Sequence, residues 1–578
     1  MKSRSFVLSA IILALGGFFA KAIGALYKIP LTNILGSSGI GLYYLIFPIY
    51  SLFITFCSSG INVALATEVA KCRKVRHRYN EQKLLRVSLY ISFLLSLVFT
   101  IITLIISSPV AEMQGNINAR LGYVAIAPAI IISSIIATLR GYFQGVENMV
   151  PTTVSMIVEQ IVKLSFGLIL AHKLCNFGVQ YAVLGAVIGV TISEVVALII
   201  ISINFFTFRG QLYYNYRNKY YRAKKNIIIK QKSQGILKVC NQHKLQKIRY
   251  ICNNKKDKFT TREAIKRIMK VFAPATLSSI ILPVATMLDS FLLINLLVNS
   301  GLSSVVSTSL YGIWGGVVQT IISLPTIVIA GVSTAIVPSL SGVVAGQSVA
   351  QVNKRVMFFI KITLVLALFM FAVVFVFAED ILYFLYGNGL SSSVFDELSY
   401  ATKMLQMSSI SIIYYALLQT FTSILQAIGK SYVPLVSMFV GLVVRVILTI
   451  VLVSVLDINI FGAIIANCAF LGATIVILAW YIRNKVKLDY SLLQELVLPV
   501  LIGGVVLVGM WLLHKGLTLI INYFWSMVVS VVIWVSIYLI WVFFSRVFTR
   551  KEKNDFFAKC TKKLKINSKT CQKGQKNP

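Results

Sequence analysis

Stretches of about 25 residues without a single charge recur along this chain, and they constrain its fold more than any other feature. Val87–Ala111 and Ile520–Phe544 are two of them. A helix rises about 1.5 Å per residue, so about 20 apolar residues cross a bilayer core. Strands of a membrane barrel are about half that length. With no water in the core to bond free backbone groups, helices are the spanning element that fits these runs. Composition agrees: 13% of the 578 residues are charged, against about a quarter in a soluble chain of average usage.

Fourteen spans are expected: 5–28, 38–62, 87–109, 120–140, 152–172, 180–207, 270–297, 309–336, 356–378, 403–427, 433–456, 459–482, 494–514 and 520–545. Met1–Arg4 followed by an apolar run resembles a signal peptide. The run continues past Lys21 without a small-residue cleavage site, so it reads as a retained first helix.

The net charge of +37 is confined to a few places. Lys71–Arg86 holds 7 Lys/Arg, Arg209–Lys270 holds 19 and Arg546–Lys576 holds 11 of the 55 in the chain. All lie between or after apolar spans, as the positive-inside bias requires of cytoplasmic loops. With the N-terminus inside, the Lys/Arg clusters 71–86, 209–270, Lys354-Arg355 and Arg483/Lys485/Lys487 fall in inner loops. The acidic Glu379, Asp380, Asp396, Glu397 and Asp457 fall in outer ones. Both termini are therefore expected in the cytoplasm of a multi-pass protein of the cell membrane. Tyr213–Arg217 and Tyr220–Arg222 interleave aromatics with bases. Between two spans they read as a linker lying on anionic lipid headgroups, not as a nucleic-acid surface.

The chain also repeats itself at an offset of 282 residues. Val154-Ser155-Met156-Ile157-Val158 matches Val436-Ser437-Met438-Phe439-Val440, and Lys163 falls opposite Arg445. At the lobe starts, Leu8–Leu13 resembles Leu277–Leu282 at an offset of 269 residues. The fifth span thus pairs with the eleventh and the first with the seventh. An even number of spans separates the partners, which predicts a parallel repeat with its axis along the membrane normal. The expected organisation is an N-terminal lobe over 1–207, a basic linker over 208–269 and a C-terminal lobe over 270–482. Two extra spans over 483–545 and a basic tail over 546–578 complete it. Repeats of this kind hold a site between the halves.

Ionisable residues inside the spans carry the functional signal. Each costs at least about 2.5–3.5 kcal/mol at a helix centre, so it belongs in the protein interior or a wet cavity. The basic set is Lys21, Lys163 and Arg445, with Lys28 and Arg140 nearer span ends; the acidic set is Glu159, Glu194 and Asp289. Glu159 and Lys163 stand at i, i+4 and are expected to pair. Lys361, under two turns from the inner surface, is expected to snorkel. Trp525, Trp534 and Trp541 in the last span read as interface anchors or lipid contacts. A cationic site suits an anionic substrate such as a pyrophosphate, because charge-assisted hydrogen bonds strengthen away from water. A cation-coupled exporter, centred on Asp289 and Glu159, stays open as the alternative.

No P-loop, GxSxG or HExxH is present, and His77, His172, His243 and His514 are scattered. The chain therefore does not read as an enzyme. Cys240-x2-His243 with Cys252 supplies three ligands where structural zinc takes four, so no metal site is read.

The stretch Leu139-Arg140-Gly141-Tyr142-Phe143-Gln144-Gly145, continuing through Val158-Glu159-Gln160-Ile161-Val162-Lys163, carries a family resemblance. So do Ala20-Lys21-Ala22-Ile23-Gly24 and Met287-Leu288-Asp289-Ser290. The chain resembles the stage V sporulation protein B and lipid II flippase group of polysaccharide-biosynthesis proteins. That group lies within the multidrug/oligosaccharidyl-lipid/polysaccharide exporter superfamily. The resemblance implies a flippase for undecaprenyl-pyrophosphate-linked glycans, lipid II first among them, built as two six-helix bundles around a cationic cavity. It implies a basic residue at Lys21 that contacts substrate, and a lipid-tail groove formed by the last two spans. Membrane lipids and cell-wall synthesis proteins are the expected partners. No cofactor is expected, and the membrane potential or a cation would drive transport. Lys21, Lys28, Arg140, Lys163 and Arg445 would bind substrate, while Glu159, Glu194 and Asp289 would hold those bases or couple transport to an ion. A flippase for a different lipid-linked polysaccharide is the nearer alternative, and a multidrug exporter the further one.

Overall fold

The structure, a computed structural model, describes residues 2–74, 78–233, 259–344, 349–387, 389–390, 396–430, 432–486, 497–519 and 523–544. Among the described residues the backbone is almost wholly helical and no strand occurs. In chain order the helices are α1 (Lys2–Lys74), α2 (Arg78–Met113), α3 (Arg120–Gly145), α4 (Val150–Cys175) and α5 (Val179–Ser233). Then come α6 (Thr261–Asn299), α7 (Ser304–Gly312), α8 (Gln319–Val344), α9 (Val349–Val376), α10 (Ala378–Tyr386) and α11 (Glu397–Ser409). The last are α12 (Ser411–Ala427), α13 (Tyr432–Ile450), α14 (Ile460–Val486), α15 (Val497–Thr518) and α16 (Tyr523–Phe544).

Among the described residues, twelve segments are long and apolar enough to cross a membrane. The first, Leu15–Arg73, carries two crossings joined at Gly36, and α16 adds the shorter apolar stretch Trp525–Tyr538. Each of the fourteen expected spans therefore finds a helix. Gly36 has φ 67° and ψ −178°, a region that only glycine enters without strain. Pro30 lies upstream and lacks an N–H. The Thr32 hydroxyl donates to the Lys28 carbonyl at 2.9 Å, between proline and kink.

Two helices run past their expected ends. α1 continues to Lys74 and α5 to Ser233, so the first part of the expected linker is helical. Lys, Arg and Gln are good helix formers, so loss of apolar character does not itself stop a helix. Cys240, His243 and Cys252 lie outside the described residues, as does the basic tail from 545 onward. The start of α6 follows a local rule: Thr260 Oγ1 accepts from the Glu263 N–H, and Glu263 Oε2 accepts from the Thr260 N–H, a capping box.

Lipid is as apolar as leucine, so membrane helices pack through small residues and hydrogen bonds rather than by hydrophobic drive. α2 shows this. Ser88, Ser92, Ser96, Thr100, Thr103 and Ser107 are all buried, and their spacing of 3 and 4 puts them on one face. Ser92 meets Ser134 of α3, and Thr100 Oγ1 donates to the Ala127 carbonyl at 3.2 Å. The opposite face exposes Leu94, Val98, Ile101 and Ile105 to lipid.

The chain packs as two units. One holds α1 to α7, the turn that follows, and the segment Val446–Ala463. Its core gathers Leu65, Val69, Phe143, Ile201, Ile268 and Phe272. α6 is tied in by Gln114 Nε2 donating to Ser290 Oγ (3.0 Å) and Asn295 Nδ2 donating to the Met113 carbonyl (2.6 Å). α7 closes on α1 where a Cβ on Gly312 would strike the Gly41 backbone.

The other unit holds most of α8, then α9 to α12, α13 up to Arg445, α14 from Ile464, α15 and α16. Val365, Phe377, Ile502, Val506, Met510 and Tyr538 form a core there, with Tyr538 donating to the Val365 carbonyl at 2.7 Å. Trp534 and Trp541 pack against this core rather than serving purely as lipid anchors. Gly509 leaves the notch that Trp534 fills. Lys361 does not snorkel: it is 3% exposed, on a helix held to α12 by the Thr363–Thr420 hydroxyl contact at 2.8 Å.

Candidate functional site

The charged residues predicted from sequence concentrate in the first unit, where a wall of aromatic rings receives them. Tyr43, Tyr44, Phe47 and Tyr50 follow Gly36 on α1, and their 3 and 4 spacing puts Tyr43, Phe47 and Tyr50 on one face. Tyr43 and Phe47 have ring centroids 4.3 Å apart, and Phe47 and Tyr50 5.8 Å apart. Tyr27, before the kink, is fully buried beside Tyr43.

Two lysines lie on this wall. Lys28 Nζ stands 5.0 Å from the Tyr44 ring centroid. Lys163 Nζ, from α4, stands 5.3 Å from Tyr27 and 5.4 Å from Phe47. A ring face attracts a desolvated ammonium by about 0.5–2 kcal/mol. The two lysines are also close enough to repel one another. Lys21 lies two helical turns before Lys28 on the same face of α1 and is exposed.

The expected Glu159–Lys163 pair is not the one formed. Glu159 Oε2 instead takes Arg140 Nη2 at 2.8 Å, and Glu159 Oε1 takes Gln160 Nε2 at 3.0 Å. Arg140 Nε donates to Ser155 Oγ at 3.0 Å. The Gln160 amide fits against α1 because Gly24 carries no side chain there. Glu194 of α5 is buried beside Tyr50 and Ser133. Asp289 is buried on α6, one residue before the Ser290 that bonds Gln114.

Arg445 belongs to the second unit. It is 6% exposed, with its guanidinium 5.6 Å from the Phe470 centroid on α14. Both members of the Lys163/Arg445 sequence pair thus sit over aromatic faces. The tyrosine wall was not singled out from sequence, although the Tyr43-Tyr44-x2-Phe47-x2-Tyr50 spacing carries it.

Clustered ammonium groups on a polarisable wall can hold a multiply charged anion through charge-assisted hydrogen bonds. Among the described residues no three His, Cys, Asp or Glu converge as a metal site would need.

A polysaccharide biosynthesis protein family model matches residues 6–237, and the lipid II flippase MurJ family model matches residues 124–540, more than half of the chain. The chain belongs to the lipid II flippase MurJ family. That family is one of membrane flippases, not of enzymes.

Stage V sporulation protein B of Bacillus subtilis (strain 168) is 26% identical over 467 residues, 81% of each chain. The lipid II flippase MurJ of the same organism is 22% identical over 528 residues, 88% of this chain and 89% of its own. Among solved structures, a lipid II flippase MurJ in an inward closed conformation superposes with TM-score 0.66 at 15% identity, over 92% of this chain and 99% of that one. An inward-facing multidrug resistance MATE family transporter superposes with TM-score 0.64 at 16% identity, over 82% and 96%. Likeness at these identities establishes a shared all-helical membrane fold.

Proposed function

We propose that this chain is a flippase carrying an undecaprenyl-pyrophosphate-linked glycan, lipid II first among them, from the inner to the outer leaflet by alternating access. The observation that carries the reading is the Lys28/Lys163 pair on its tyrosine wall. Among the described residues neither ammonium makes an ion pair with a carboxylate. Two unneutralised cations at membrane depth are costly and reward an anion that reaches them. The pyrophosphate of a lipid carrier is such an anion, and its polyprenyl tail keeps it in the bilayer.

In this reading Lys28 and Lys163 contact the pyrophosphate, and Lys21 extends the basic face along α1. Asp289 and Glu194 couple transport to a cation or to the membrane potential. The family match supports lipid II as substrate. The likeness to a sporulation protein keeps a related lipid-linked glycan as the nearer alternative. Burial of Asp289 and Glu194, together with the likeness to a MATE transporter, favours a cation-coupled exporter as the second reading.

The test is complementation of a strain depleted of its own lipid II flippase. Wild type should restore growth. Lys28→Gln and Lys163→Gln should fail while reaching the membrane at normal levels, since each removes a charge-assisted contact of about 1.5–3 kcal/mol. Growth with every lysine variant but none with Asp289→Asn would move the assignment to the exporter.

A further inference from the structure

We infer that Arg140 is a positioning residue, which holds Glu159 away from Lys163 so that the Lys28/Lys163 pair keeps its positive charge for an anionic ligand. The inference rests on the reading of that pair as the pyrophosphate contact.

Glu159 lies one turn before Lys163 on α4. Glu before Lys at i, i+4 is the favourable order for a helical ion pair, and such a pair would neutralise Lys163. The structure prevents it through a neighbouring helix. Arg140 reaches across from the end of α3 and takes Glu159 Oε2 at 2.8 Å, while Gln160 takes Oε1 at 3.0 Å. Both carboxylate oxygens are thereby occupied.

Arg140 is itself held in place. Its Nε donates to Ser155 Oγ at 3.0 Å, and the Ser155 hydroxyl donates in turn to the Thr152 carbonyl at 2.9 Å. A planar guanidinium bonded at two of its nitrogens has little freedom to swing toward a ligand. The Arg140 and Glu159 side chains are 17% and 16% exposed, so little solvent competes for the pair.

Charge counting points the same way. Lys28, Lys163, Arg140, Glu159 and Glu194 interact electrostatically as one group. Within this group Arg140 offsets Glu159 through their ion pair. Removing Arg140 alone would take away one cation and release Glu159 toward Lys163. Removing Arg140 and Glu159 together would leave the net charge as in wild type. A directly binding Arg140 predicts the opposite: the double variant would bind no better than the single one.

The experiment uses purified full-length protein in detergent, with undecaprenyl pyrophosphate as probe and Kd read at one fixed salt concentration. Variants are compared only when they elute as a single species with unchanged thermal transition. Arg140→Gln should weaken binding by about tenfold or more, the equivalent of about 1.4 kcal/mol. Glu159→Gln should bind at least as tightly as wild type. Arg140→Gln with Glu159→Gln should return to within about threefold of wild type. A purely structural role for Arg140 would not give that recovery, because the second substitution removes a further hydrogen bond. If the double variant stays as weak as Arg140→Gln while Lys163→Gln has lost binding, the positioning role is wrong and Arg140 is a ligand. If Lys163→Gln binds like wild type, the pyrophosphate reading fails, and this inference with it.

Discussion

Lys163 keeps its place through aromatic rings, and this has a measurable consequence. Substituting Tyr27 or Phe47 by Leu removes a ring face worth about 0.5–2 kcal/mol to the ammonium, so binding of undecaprenyl pyrophosphate should weaken several-fold. Tyr27→Phe keeps the face and should leave binding close to wild type. Equal affinity for Tyr27→Leu and Tyr27→Phe would show that the ring does not support the cation. The buried charges themselves were legible in the sequence, because a Lys or Glu inside an apolar run has few structural excuses. Their pairing was not. The i, i+4 rule sees only α4, and the residue that captures Glu159 comes from α3. Lys361 failed for a related reason: distance from a span end does not say what packs around the side chain.

Among the elements, the hairpin of α15 and α16 docks onto α9 and α10 through a polar contact as well as an apolar core. His514 Nε2 meets Asp380 Oδ2 at 3.0 Å, His514 Nδ1 meets Ser526 Oγ at 3.2 Å, and the imidazole packs edge-on to Phe377. Burial pushes the Asp380 carboxyl above its ordinary range, and His514 opposes that shift. A carboxyl raised on folding binds its proton more tightly in the folded state. Protonation therefore stabilises the fold as pH falls through the raised value, and that gain is lost as pH rises. His514→Ala removes the opposing partner, so the fall in the thermal transition should differ between pH 5 and pH 7.5. Asp380→Asn should abolish that difference. A loss from His514→Ala independent of pH would mean the histidine acts only by filling space. Sequence placed these helices correctly, because each span must be long and apolar. It missed the helical continuation of α5, where polar residues extend a helix that hydropathy alone would end. It also missed the inward packing of Trp534, which depends on a glycine one helix away.

At the scale of the whole molecule, twelve membrane-length apolar helices among the described residues and a family match over residues 124–540 describe a membrane flippase. The span count was legible because the bilayer sets a minimum length for every crossing. The grouping of helices was less so. α6 and α7 open the second half of the sequence repeat, yet they pack within the first unit through Gln114–Ser290, Asn295–Met113 and the Gly41–Gly312 approach. Similarity between stretches of one chain does not fix their packing, which follows side-chain partners that lie far apart in sequence. The central claim is transport of a lipid-linked pyrophosphate, and lipid II translocation tests it most directly. In cells depleted of their own flippase and expressing this chain, lipid II on the outer leaflet would be quantified with an added hydrolase that cleaves only exposed molecules. Cleavage restored by wild type and absent with Lys163→Gln is the predicted result. Lipid II that stays protected while the protein is abundant in the membrane would contradict the assignment of lipid II as its cargo.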